Sequence, residues 1–154
     1  MTNRFIPLAI LSSAALALGA CATIGGDVAQ QTAEVVGTSF AATLSGTAEV
    51  PGPGDTDGNG TAKITLVDAI DDVCFDLDVT GIDTPTAAHV HRGAAGQAGP
   101  PVVTLEAPAD GTSSGCVNAE DELVDEIRLN PADFYVNVHN AAYPQGAIRG
   151  QLRK

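Results

Sequence analysis

The sequence of 154 residues contains no tryptophan, four phenylalanines and two tyrosines. A core built around large rings is therefore excluded, and Val, Ile, Leu and the few Phe must supply the buried surface. Positive charge is scarce too, with 7 Lys+Arg against 19 Asp+Glu and a formal net charge of -12. Removing the first twenty residues takes away only Arg4, leaving 6 against 19, or -13. A surface that negative repels phosphates and anionic headgroups, so nucleic acid is not expected as a partner. Long helical periodicity is also missing. Seventeen Gly and nine Pro punctuate the chain at short intervals, which suits strands joined by tight turns.

No apolar run is long enough to rest comfortably across a bilayer as a permanent helix. The longest, Phe5 to Leu18, follows the basic Arg4 and closes on Leu18-Gly19-Ala20-Cys21. That tetrapeptide resembles a bacterial lipobox, with Gly in the second place a mild departure. The resemblance implies a signal peptide over residues 1–20, cleavage before Cys21, and lipidation of Cys21. Several acyl chains, at about 0.8 kcal/mol per buried methylene, make such an anchor effectively permanent. Ala22 rather than Asp follows the cysteine, which favours the outer membrane, facing the periplasm or the surface, in a Gram-negative cell. Residues 21–37 then read as the lipidated cysteine and a flexible tether, and 38–154 as one domain.

That domain alternates with period two. Phe40, Ala42, Leu44, Gly46 and Ala48 share one face, as do Ala62, Ile64 and Leu66; Val73, Phe75, Leu77 and Val79 alternate with Cys74, Asp76 and Asp78. Further strands are expected at Ala88 to Arg92, Pro101 to Leu105, Phe134 to Asn140 and Ala147 to Leu152. Turn clusters separate nearly all of them. The pattern predicts an all-β fold, a Greek-key sandwich or barrel of about 7–8 short strands. One short helix is expected between Asn118 and Asn130, where Leu123 and Ile127 sit four apart and Asn130-Pro131 stops it. With Cys21 acylated, Cys74 and Cys116 remain, and an oxidising compartment favours a disulfide between them over two free thiols.

Three suggestive patterns lack the context their chemistry needs. Asp55-Thr56-Asp57-Gly58-Asn59-Gly60 opens like a calcium loop, but Leu66 stands where the twelfth-position Glu belongs, so a hairpin loop is expected. Gly111-Thr112-Ser113-Ser114-Gly115 matches a nucleophile elbow without the flanking strand and helix, and reads as a turn. Gly93, Gly96 and Gly99 lack the lysine of a phosphate cradle.

Two segments carry a family resemblance. One runs Ala87-Ala88-His89-Val90-His91-Arg92-Gly93 through Gly99-Pro100-Pro101-Val102-Val103. The other is Phe134-Tyr135-Val136-Asn137-Val138-His139-Asn140, continuing through Pro144-Gln145-Gly146-Ala147-Ile148-Arg149-Gly150-Gln151-Leu152. Together they resemble the two diagnostic blocks of the chordin-type (CHRD) domain, from about Ser39 to Leu152. The resemblance implies an immunoglobulin-like β-barrel with a distant likeness to copper/zinc superoxide dismutases. In animals the domain occurs in chordin, an extracellular antagonist of morphogen signalling.

All three histidines of the chain lie in these blocks. Residues two apart on a strand share a face, so His89 and His91 project together, as do Tyr135, Asn137 and His139. If the Val residues face the core and the two strands are neighbours, three imidazoles converge on the outer side. Such a set suits copper or zinc. By likeness to the dismutase motif, His89, His91 and His139 correspond to copper ligands, although no fourth histidine is present to bridge a second metal. A competing reading makes the histidines a hydrogen-bonded network with Asn137, Arg92 and backbone that pins the strands together. Arg149 is expected to pair with a carboxylate. The leading expectation is a non-catalytic, lipid-anchored binding module with a protein, glycan or metal ligand. The alternatives are a copper-binding or dismutase-like protein and, third, a zinc hydrolase using a nearby Asp as base.

Overall fold

A computed structural model describes residues 37–154. The expected signal peptide, Cys21 and residues 22–36 of the tether lie outside the described residues. Eight strands form one antiparallel sheet: β1 (Thr38–Ser45), β2 (Asn59–Val67), β3 (Asp72–Thr80), β4 (Pro85–Arg92), β5 (Pro101–Leu105), β6 (Thr112–Asn118), β7 (Phe134–Asn140) and β8 (Ile148–Gln151). Their spatial order is β5-β4-β7-β8-β1-β2-β3-β6. The sheet curls until its two edges meet, where the Ser113 hydroxyl on β6 donates to the carbonyl of Glu106 just past β5, at 2.8 Å. Near-closure of this kind shields edge strands from pairing with other chains.

The alternation expected of the sequence selects the inner face. Phe40, Leu44, Ile64, Leu66, Val73 and Phe75 are buried from one half of the barrel, and Val90, Val103, Val136, Val138 and Ile148 from the other. Each such side chain contributes about 1.5–3 kcal/mol on leaving water. The helix α1 (Asp121–Leu129) lays Val124 and Ile127 on this core. It is shorter than expected. Asn118, read as a possible helix start, instead ends β6, and its side-chain amide donates to the Ile70 carbonyl at 2.9 Å and to the Asp72 carboxylate at 3.2 Å. Glu120 takes the capping position with extended backbone.

Two other expectations are corrected. Thr112 to Gly115, read as part of a turn, belong to β6 and pair with Asp78 through Phe75. The apolar alternation fades there because the Phe75 ring fills the space: a Cβ on Gly115 would lie 3.3 Å from its Cζ. The first strand stops at Ser45, and Gly46–Ala48 form a 3-10 turn. Gly46 is pressed on the returning chain so closely that a Cβ would sit 1.7 Å from the Asp55 carbonyl oxygen. Asp55 to Asn59 close the connection into β2 through their own contacts, Asp57 N–H to the Asp55 carboxylate (3.3 Å) and the Asn59 amide to the Asp57 carbonyl (2.9 Å). Leu66 is buried in β2. Cys74 and Cys116 stand directly opposite each other on β3 and β6 and form the expected disulfide.

Candidate metal site on the outer face of the sheet

Strands β4 and β7 are neighbours, and their register sets His89 against Asn137, His91 against Tyr135, and Ala87 against His139. His139 therefore stands diagonally from His89, within reach of an imidazole. Val90, Val136 and Val138 are fully buried on the core side, so all three imidazoles project from the opposite face. That face is not open to water. Every residue of β7 is buried, including Tyr135, Asn137 and His139. The chain segments that bring the Gly99 and Pro144 carbonyls and Glu49 to this face cover it, making a second, polar layer outside the sheet.

Within that layer one ligand nitrogen from each of His89, His91 and His139 lies within 4.8 Å of the other two. The His89 Nδ1 and His139 Nε2 atoms are 3.1 Å apart. Two nitrogens bound to one ion at about 2.0–2.1 Å and about 100° have such a spacing. Backbone carbonyls fix two tautomers. His91 Nδ1 lies 2.9 Å from the Gly99 oxygen and His139 Nδ1 3.2 Å from the Pro144 oxygen. A carbonyl only accepts, so both Nδ1 atoms carry hydrogen and both Nε2 atoms present lone pairs. In the metal-free protein His89 Nδ1–H donates to His139 Nε2. His91 Nε2 is buried with no hydrogen-bond partner among the described residues.

The rings are neutral at pH 7. Burial, followed by His89 and His91, pushes His139 down to about 4. Burial and then His91 lower His89, while burial lowers His91, with the Arg149 charge adding to the effect. Neutral imidazole is the form that ligates Cu and Zn.

The rest of the layer departs from expectation in instructive ways. Arg92 does not join the histidines. It projects on the Val90 side of β4, hydrogen-bonds Glu126 of α1 through Nε at 2.9 Å, and lies over the Phe134 ring. Asn137 is on the site face but donates to Glu49, with its Nδ2 3.0 Å from both carboxylate oxygens. Among the described residues Arg149 makes no ion pair with a carboxylate. It is 2% exposed, lies 3.5 Å over the Tyr135 ring, and donates through Nη2 to the Ala94 carbonyl at 3.2 Å. Tyr135 in turn stacks on His91 at 4.9 Å. The buried carboxylate of this layer belongs to Glu49, and no Asp is among the buried polar side chains of the described residues.

Strand periodicity gives no hint of Glu49, which follows the 3-10 turn and leads into Pro51. Its one sequence signal is the Gly146 turn of the second diagnostic block. Gly146 has φ 141° and passes so close that a Cβ would lie 2.5 Å from the Glu49 carboxylate.

A family model for the CHRD domain matches residues 40–152, the span that contains all eight strands but for the first two residues of β1. The chain belongs to the CHRD family. No curated protein matches it. The two segments that carry the sequence resemblance lie on β4 and β7 and the chain that follows them.

Glu49 gives this CHRD domain a pH-dependent stability. Burial pushes its carboxyl up to about 7 against the lowering effects of Asn137 and Arg149. Between 4.5 and 7 the folded state then holds more protons than the unfolded chain, so stability falls as pH rises through that window, by about 3 kcal/mol in total. His139 acts oppositely, since its folded value lies below 6.5 and stability is lost as pH falls from 6.5 through about 4. Above pH 6.5 the three imidazoles still add stability as pH rises, so the Glu49 contribution is read as a difference between two proteins. We expect the parent to lose about 1 kcal/mol relative to the Glu49→Gln variant between pH 6.5 and 8, measured from their urea midpoints. Equal slopes in the two proteins would place the titration elsewhere.

Proposed function

We propose that this protein is an exported, lipid-anchored binding module whose ligand is a transition-metal ion, copper or zinc, held by His89, His91 and His139. The observation that carries the reading is the unpartnered, buried His91 Nε2 beside the His89–His139 pair. A buried nitrogen lone pair left without a donor costs about 1–3 kcal/mol, and a cation at the common point removes that cost at His91 Nε2. The carbonyls of Gly99 and Pro144 orient two of the ligands as outer partners do in metal proteins. The net charge of -12 attracts cations to the domain. Three nitrogens leave a coordination position open, which suits uptake and release. Export and anchoring rest on Arg4, the apolar run to Leu18 and the Leu18-Gly19-Ala20-Cys21 motif.

The test is metal analysis of the purified protein, made without a polyhistidine tag and loaded with Cu or Zn under aerobic and anaerobic conditions. One equivalent bound is the expected result. Less than about one-tenth equivalent of either would leave a protein or glycan ligand as the reading, with the imidazoles serving as a structural network. Where copper binds, a superoxide assay separates holding the ion from turning over on it, and no turnover is expected.

A further inference from the structure

The metal reading leaves Arg149 unexplained. Arg149 is 2% exposed, and its Nη1 is buried without a hydrogen-bond partner among the described residues. The ion pairs among the described residues are Arg92–Glu126, Arg128–Asp68 and Arg128–Asp125, so no carboxylate lies within contact distance of it. Stacking on Tyr135 offsets only part of the loss of water. Glu49 acts on Arg149 only through space, from beyond contact distance, so the buried guanidinium still lacks an acceptor at close range, a role that an anion fills.

The surroundings indicate where that anion sits. Arg149 lines a cleft of about 400 Å³ between the β1–β8 face and the loop after β4, together with Thr43, Ser45, Gly96 and Arg153. Arg153 is exposed and, like Arg149, makes no ion pair among the described residues. No acidic residue lines this cleft, in a chain with 19 Asp+Glu against 7 Lys+Arg. Two unpaired arginines and two hydroxyl residues thus share one concavity free of carboxylates.

We propose that this cleft is a binding site for a small monoanionic oxyanion of the carboxylate class. Arg149 supplies positive charge at the inner wall, Arg153 closes the outer side with its N–H donors, and the Thr43 and Ser45 hydroxyls donate to the remaining oxygen lone pairs. The net charge of -12 sets the preference for one negative charge over two, because each added charge must approach against the field of the whole domain. The site does not depend on metal binding at the histidines.

The experiment is a chemical-shift titration of the isotope-labelled, chelator-treated protein with sodium acetate at constant ionic strength, with chloride as the reference salt. Saturable shifts are expected at the amides of Ser45, Gly96 and Gly150, absent with chloride alone. Inorganic phosphate, largely dianionic at pH 8, is expected to bind more weakly than acetate. Arg153→Gln should weaken acetate binding about tenfold, the size of one charge-assisted contact. Arg149→Gln removes the inner charge, but it alters a buried position that the fold can require. Thr43→Glu therefore carries the decision: Thr43 is exposed, and the new side chain places a carboxylate of the chain's own in the cleft. Loss of acetate binding in this variant, with spectral dispersion kept, is the expected result. Unchanged acetate binding in it, shifts that chloride reproduces, or tighter binding of phosphate would each overturn the proposal.

Discussion

Replacing His139 by alanine is expected to lower metal affinity at least about a hundredfold and to cut metal-induced thermal stabilisation to about a third or less. The magnitude follows from geometry. His139 Nε2 and His89 Nδ1 are 3.1 Å apart and act as a pair, so His139→Ala leaves two nitrogens and returns His89 to solvent or to a new tautomer. Any ion bound to the folded state alone stabilises it by about 4 kcal/mol when present at a thousand times its dissociation constant. For a domain of this size that raises the melting temperature by about 10–20 °C. Differential scanning calorimetry with and without one equivalent of copper or zinc reads the shift directly. Arg92→Gln serves as the control: that residue is bound to Glu126 on the other side of the strand, so its loss should leave metal affinity unchanged. A His139→Ala protein that binds a full equivalent within threefold of the original affinity would defeat the three-imidazole site. A variant that merely unfolds would favour the network reading, in which the rings hold β4 to β7.

How much of this site the sequence discloses depends on what kind of atom does the work. The strand period places His89 with His91, and Asn137 with His139, because successive side chains must point to opposite faces. The same rule, applied one step further, removes Arg92: it shares the parity of Val90 and so reaches α1 instead of the histidines. Arg149 is a different case. Its position on the site face is legible, since it pairs with Asn137 across β7 and β8, but its lack of a carboxylate partner is set by distances that no pattern encodes. The carbonyls of Gly99 and Pro144 leave no trace in residue identity beyond the turns that carry them. Glu49 arrives from a loop, where periodicity has nothing to say. Likewise β6 hides behind Thr112-Ser113-Ser114-Gly115, where the pattern breaks at Gly115, the position that the Phe75 ring crowds. Cross-strand packing decided those residues, and it is invisible along the chain.

Removing the disulfide should cost about as much stability as a bound metal adds, but at the opposite end of the sheet. Cys74 and Cys116 are separated by 42 residues, and closing a loop of that length stabilises the fold by about 4 kcal/mol in the chain-entropy account. The loss concentrates on β6, an edge strand paired along its length only with β3. The double variant Cys74→Ala/Cys116→Ala is expected to melt about 10–20 °C lower. Its β6 amides should exchange faster than those of β4 and β7, because an edge held by one ladder opens before the interior does. Metal binding measured well below the lowered melting point should be unaffected. The histidines depend on β4 and β7 in the body of the sheet, and the register that brings them together does not pass through β6. A melting point within about 2 °C of the original would mean that the cross-link adds little beyond the β3–β6 ladder. A parallel loss of metal affinity would mean that the two ends of the barrel are coupled, against the locality that this topology implies.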